Sequence, residues 1–92
     1  MLFEIKEKTG KDIHLSEKRW SHIMKEHPNV QMEEIKRTIE APTKVVPSKY
    51  DPIHVRYYYS FNKLRKQYLL IAVRYLNGHG FVITAYYVRI IP

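Results

Sequence analysis

The residues of this 92-residue chain that can move a proton or hold an anion are plentiful: five histidines, eight tyrosines, and sixteen lysines and arginines against nine acidic residues. That inventory suits acid–base chemistry on a polyanion and does not suit a metal centre. His22 and His27 lack the spacing of a zinc motif, and His-Glu-x-x-His is absent. Without cysteine, and with aspartate only at Asp12 and Asp51, no metal site is expected. The three glycines are isolated or fall within the turn at 77–80, which gives neither a Gly-rich phosphate loop nor a nucleophile elbow. No cofactor, nucleotide or other, is expected.

Phosphate chemistry without a metal remains. Cleavage of RNA by its own 2′-hydroxyl needs a base for that hydroxyl and an acid for the leaving 5′-oxygen. It also needs donors or cations for the charge that builds on phosphorus. Histidine, arginine, threonine and tyrosine supply these roles, and tyrosine faces can stack unpaired bases. The candidates are His22, His27, Arg56, Tyr58, Tyr68, Arg74, Thr84 and Tyr86, with Lys63, Arg65 and Lys66 as a basic loop. Each has a plainer reading. His27, beside Pro28, can be a C-capping histidine, and His22 can pair with Glu26 one turn on. The arginines can be cross-strand charges, Thr84 suits any strand, alternate members of Tyr57-Tyr58-Tyr59 must face a core, and charged loops aid solubility.

At 11.1 kDa the chain forms one domain over 1–92. With 45% hydrophobic and 27% charged residues it reads as globular. Net charge +7 and a pI near 9.7 favour a polyanionic partner. The longest apolar run, Tyr68 to Tyr75, is interrupted by Arg74 and is far short of the roughly 20 residues a membrane helix needs. Residues 1–11 carry frequent charges and no signal-peptide apolar stretch, so the expected location is the cytoplasm.

Periodicity places these residues on elements. Leu2, Phe3 and Ile5, then Ile13 and Leu15, predict a short strand pair about a turn at Thr9-Gly10-Lys11. Ser16 predicts an N-cap, and Trp20, Ile23, Met24 and His27 form one helical stripe ended by Pro28. Asn29 is read as the cap of a second helix, with Met32, Ile35 and Ile39 as its buried stripe and Pro42 as its end. Lys44 to Val46 reads as a short edge segment. Strands are expected over Ile53 to Ser60, Gln67 to Tyr75 and Phe81 to Ile90, joined as antiparallel hairpins. The predicted class is α+β: two helices, after a short strand pair, on one face of a C-terminal antiparallel sheet of three to four strands.

Strand parity then divides the sheet. Ile53, Val55, Tyr57, Tyr59, Leu69, Ile71, Val73, Tyr75, Phe81, Ile83, Ala85 and Tyr87 are expected towards the helices. Arg56, Tyr58, Tyr68, Arg74, Thr84 and Tyr86 are expected on the open face. This depends on a three-residue loop, Asn77-Gly78-His79, with Gly80 at a bulge. A two-residue Asn77-Gly78 turn would set Arg74 with Phe81 and Ile83 instead.

The order of short motifs carries a resemblance. Arg19-Trp20-Ser21-His22-Ile23 followed by His27-Pro28 is the first. A helix closing on Thr38-Ile39-Glu40-Ala41-Pro42 is the second, and the late strand Ile83-Thr84-Ala85-Tyr86-Tyr87 is the third. Over Leu15 to Val88 the chain resembles the small phage- and mobile-element-associated toxins of the barnase–EndoU–colicin–RelE-like fold. The resemblance implies a metal-independent endoribonuclease with its site on the sheet face, assisted by a helix-borne residue. By position it implies catalytic roles for His22, His27, Thr84 and Tyr86, with Arg74 as the phosphate-binding cation. Members of the fold vary these residues, and some bind nucleic acid without cutting it.

The function expected is cleavage of single-stranded RNA or tRNA by 2′-hydroxyl attack. His22 or His27 would act as base or acid and Arg56 and Arg74 would stabilise the phosphorane. Thr84 and Tyr86 would orient the phosphate. Tyr58 and Tyr68 would stack bases, and Lys63, Arg65 and Lys66 would steer the backbone. The expected partners are tRNA or mRNA and an acidic antitoxin or inhibitor protein. The alternative is a non-catalytic nucleic-acid-binding or protein-interaction module using the same face.

Overall fold

The structure is a computed structural model, and it describes residues 3–91. Leu2, expected in the first strand, lies outside them. The elements in chain order are β1 (Phe3–Lys6), β2 (Asp12–Leu15), α1 (Glu17–Glu26), α2 (Met32–Glu40), β3 (Lys44–Pro47), β4 (Val55–Asn62), β5 (Gln67–Leu76) and β6 (His79–Val88).

Local signals account for the helices. Ser16 Oγ accepts the Arg19 amide at 3.1 Å, satisfying one of the unpaired N–H groups at the start of α1. His27 is the C-cap, its amide donating to Ile23 O at 2.6 Å, and Pro28 prevents a further turn. α2 begins later than expected: Gln31, not Asn29, precedes its first turn, and no side chain caps it. Ile35, Thr38 and Ile39 are its buried residues.

The sheet departs from expectation. It is one mixed sheet of six strands among the described residues, in the order β1-β2-β6-β5-β4-β3. The expected sheet of three to four antiparallel strands, with the N-terminal pair set apart, is therefore incorrect. The N-terminal hairpin joins through a parallel pairing of β2 with β6, Asp12↔His79, Ile13↔Gly80 and His14↔Phe81. Hairpin logic links strands that are neighbours in sequence and is blind to this long crossover. Gly80 makes the junction possible: a Cβ there would lie 2.9 Å from Val73 Cγ1 and 3.0 Å from Ile13 Cγ1.

The β5–β6 hairpin closes on the two-residue turn. Asn77 and Gly78 both have positive φ, 52° and 79°, the pattern of a type I′ turn, and Leu76 pairs with His79. The three-residue loop and the bulge at Gly80 are thus corrected. The irregularity lies further along: Val73 pairs with Val82 but Ala72 pairs with Thr84, leaving Ile83 as an extra residue.

The main core lies between helices and sheet. It holds Ile23, Val30, Ile35 and Ile39 against Phe3, Ile13, Leu15, Tyr58, Leu69, Ile71, Val73, Val82 and Ala85. α1 packs against β6, and α2 packs against β5, β1 and β4. A second apolar layer covers the opposite face, with Tyr59, Leu70 and Ala72 buried among Val46, Tyr57, Tyr68, Ile83, Tyr86, Val88 and Ile91. β4 is therefore inverted relative to the predicted parity. With tyrosine at 57, 58 and 59, hydropathy fits either face; the pairing of Tyr58 with Ile71 decides it. Ile53 precedes the strand and is 81% exposed.

Candidate functional site

The face away from the helices gathers part of the expected site. Before the bulge Arg74 pairs with Phe81; after it Ala72 pairs with Thr84 and Leu70 with Tyr86. Arg74, Phe81, Ile83, Thr84 and Tyr86 thus share one face. The extra residue Ile83 restores the parity that the short turn would have inverted. Thr84 lies one rung from Tyr86 and Arg74 one rung from Thr84, each about 7 Å along the strands.

His27 meets this face from the side. β2 ends at Leu15, and α1 then runs alongside β6, which brings the helix C-terminus to the rim. The His27 ring lies 5.4 Å from the Tyr86 ring, centroid to centroid, with the planes inclined by 31°. His27 is half-buried and caps its helix, so the plainer reading and the functional one describe the same side chain.

His22 is placed elsewhere. Its Nε2 lies 3.0 Å from Glu26 Oε1, both side chains half-exposed, and it lines a shallow hollow with Ser16, Lys18, Arg19, Ser21 and Lys25. The two helix histidines do not share a site.

Two residues expected on the open face are on the other side. Tyr58 is 1% exposed in the main core, where its hydroxyl bonds to that of Tyr75 and donates to Glu7 Oε2 at 3.3 Å. Burial, the Tyr75 hydroxyl and Glu7 push its phenol far above the ordinary value. It has no free ring face for a base. Arg56, paired with Val73, also faces the helix side, and its guanidinium lies 5.4 Å from the Tyr75 ring. The even-residue parity predicted for β4 is wrong for both.

Tyr68 stays on the open face, edge-on to Phe61 at 5.2 Å. The basic loop frames a different feature, a cleft of about 950 Å³ between α2 and the β4–β5 hairpin. Lys63 and Arg65 line it together with Arg37, Glu34 and Asn62; Lys66 does not. Lys66 serves the turn through its positive φ of 54°.

Inside that cleft lies a polar network that sequence reasoning missed. Tyr87 Oη donates to Glu34 Oε1 at 2.5 Å, and Asn62 Nδ2 donates to Glu34 Oε2 at 2.7 Å. The Arg65 guanidinium sits 4.6 Å from the Tyr87 ring centroid. Burial, then the Glu34 carboxylate, push the Tyr87 phenol up to about 12. Helical patterning places Glu34 in water and strand parity places Tyr87 in the core; no local signal says that they meet.

Among the described residues, no three histidine, aspartate or glutamate side chains are grouped to hold a metal ion. No helix among them is long and apolar enough to cross a membrane. No family model, curated protein or solved structure matches the chain. The functional reading therefore rests on the side chains alone. A half-buried imidazole, a phenol, a hydroxyl and a guanidinium on one aromatic face can transfer protons to and from a phosphodiester and neutralise its charge.

Proposed function

We propose that this protein is a metal-independent endoribonuclease of the barnase–EndoU–colicin–RelE-like kind, acting on single-stranded RNA or a tRNA loop. The observation that carries this reading is the contact of His27 with Tyr86 at the edge of the face bearing Thr84 and Arg74. His27 accepts the 2′-hydroxyl proton, the 2′-oxygen bonds to phosphorus, and the bond to the 5′-oxygen breaks as that oxygen takes a proton from water. Tyr86 and Thr84 hold the scissile phosphate. Arg74, two rungs from Tyr86 and so about 13 Å away along the sheet, holds the neighbouring phosphate instead. Tyr68 offers a stacking surface on the same face, and Lys63 and Arg65 draw the RNA backbone towards that end of the sheet. The net charge of +7 supports a polyanionic partner. An acidic inhibitor protein that covers this face of a chain with net charge +7 belongs to the same reading.

The test is incubation of the purified chain with tRNA and mRNA in EDTA, with mapping of 2′,3′-cyclic phosphate ends. Cleavage by the wild type that is lost in His27→Ala supports the reading. RNA left intact by the wild type sinks it. Salt-sensitive binding without products would instead favour the non-catalytic module.

A further inference from the structure

Beyond Arg74 on the same face, the parallel pairing of β2 with β6 brings two histidines together. His14 Nε2 lies 3.1 Å from His79 Nδ1, and His14 Nδ1 lies 3.2 Å from Glu4 Oε2 on β1. The His14 ring also stacks on Phe81, centroids 5.2 Å apart. The side chain of His14 is 11% exposed, whereas His79 is at the surface.

Donor and acceptor chemistry orders this chain of groups. A carboxylate only accepts, so the His14 nitrogen facing Glu4 carries the proton. When His14 is neutral its Nε2 is an acceptor, and His79 donates its Nδ1–H to it. The lone pair of His79 is left at Nε2, the outer end of the chain. A proton taken up there turns His79 into a cationic donor whose charge is held through His14 towards Glu4.

The charged groups around the pair are Glu4 and Lys6 from β1, Asp12 from β2, and Arg74 from β5. Lys6 Nζ bonds Asp12 Oδ1 at 2.9 Å. Arg74 pairs with Phe81 and is the diagonal neighbour of His79, about 7–8 Å away between Cα atoms. Two acids and two bases offset one another at this corner, which leaves the imidazole pair to set its charge.

We infer that His79 and Arg74 form a proton-linked subsite for a phosphate of single-stranded RNA, with Phe81 as the platform for the adjoining base. Phe81 is 43% exposed and held flat against His14, which suits stacking. The subsite rests on the reading of this face as an RNA-binding surface. It adds a length requirement, because His79 lies about 20 Å along β6 from Tyr86. That span matches the smaller single-strand sites, about four nucleotides. It also adds a pH dependence to binding, separate from any pH dependence of cleavage.

A labelled 2′-O-methyl decanucleotide, which has no 2′-hydroxyl to attack, is titrated with the full chain by fluorescence anisotropy from pH 8 to pH 5.5 at fixed salt. Wild-type binding is expected to tighten as pH falls, by at most about tenfold per pH unit, the limit for linkage to one proton. His79→Asn loses most of the tightening. His22→Ala, His27→Ala and His54→Ala supply the slope due to the histidines outside the pair. Ring-nitrogen NMR of the wild type tests the same point without a variant: the oligonucleotide should shift the His79 Nε2 signal. A slope unchanged in His79→Asn, an Nε2 signal indifferent to the oligonucleotide, or no binding by the wild type overturns the subsite. Binding with a His79-dependent slope but no RNA cleavage overturns the nuclease reading and leaves the subsite standing.

Discussion

The imidazole of His27 rests 5.4 Å from the ring of Tyr86, although one caps the first helix and the other lies on the last strand. The contact follows from an early end to β2. Where that strand stops at Leu15, α1 takes its place beside β6 and delivers its C-terminus to the rim of the open face.

His27→Ala is therefore expected to lower the RNA cleavage rate by about 10²–10⁴-fold, the usual contribution of a positioned acid or base. Tyr86→Phe, which keeps the ring against His27 and removes only the hydroxyl, should show a smaller loss. Single-turnover rates on one oligonucleotide, with circular dichroism as the folding control, separate the two. His22→Ala serves as the counter-test. Its partner is Glu26 on the solvent side of α1, so cleavage should be unchanged and stability should shift by no more than about 0.5 kcal/mol. A large loss in His22→Ala with His27→Ala unaffected would move the site to the other side of the helix.

Glu7 predicts part of the acid limb of stability. Burial opposes its ionisation, but hydrogen bonds from Thr9, Lys11 and Tyr58 outweigh burial and hold the carboxyl below its ordinary 4.5. The folded state thus binds this proton less tightly than the unfolded chain does. The associated stability is complete above the ordinary value and is lost as pH falls through the lower, folded one. Urea midpoints from pH 6 to pH 2.5 should fall less steeply in Glu7→Gln than in the wild type.

The Glu34–Tyr87 contact predicts behaviour at the opposite end of the scale. With the Tyr87 phenol pushed up to about 12, its neutral form is favoured by folding. That stability is present below the ordinary value of 10.0 and is lost as pH rises through about 12. Tyr87→Phe should cost about 1.5–3 kcal/mol at neutral pH, the range for a hydrogen bond to a charged partner. Ultraviolet titration should show the disappearance of one late-titrating tyrosine, and an unaltered alkaline profile would remove the hydroxyl from the contact.

Gly80→Ala should loosen the N-terminal hairpin. The added methyl meets Val73, Ile13 and Tyr75 at 2.9–3.0 Å, where the two parallel strands close. Overpacking of this kind costs about 1–3 kcal/mol. Amide exchange should accelerate first in β2 (Asp12–Leu15), with the β4–β5 pair keeping its protection. Uniform acceleration would show that the sheet opens as one unit.

Much of the local structure was legible in the residues themselves. Ser16 and Pro28 bracket α1, and Met32, Ile35 and Ile39 turn α2 onto the core. The β-branched and aromatic runs mark β4 to β6 to within a few residues. The face of β4 was not legible. In a run of three tyrosines each side of the strand is equally apolar, and only the pairing with β5 and the burial of Tyr58 against Glu7 choose between them.

The grouping of Arg74, Thr84 and Tyr86 was expected from a loop that does not form, and it arises instead from a short turn followed by a bulge at Ile83. Two one-residue shifts of opposite sense offset each other, and parity along a strand cannot register either. The sequence alone determined which segments are helix and strand, the positive charge and the reserve of imidazole, phenol and guanidinium groups, because these depend on near neighbours and composition. Only the tertiary structure decided that His27 meets Tyr86, that His14 meets His79 and that His22 and Tyr58 stand apart. Those contacts are set by which strands pair and where each pairing ends, and pairing energy is shared between residues far apart in the chain.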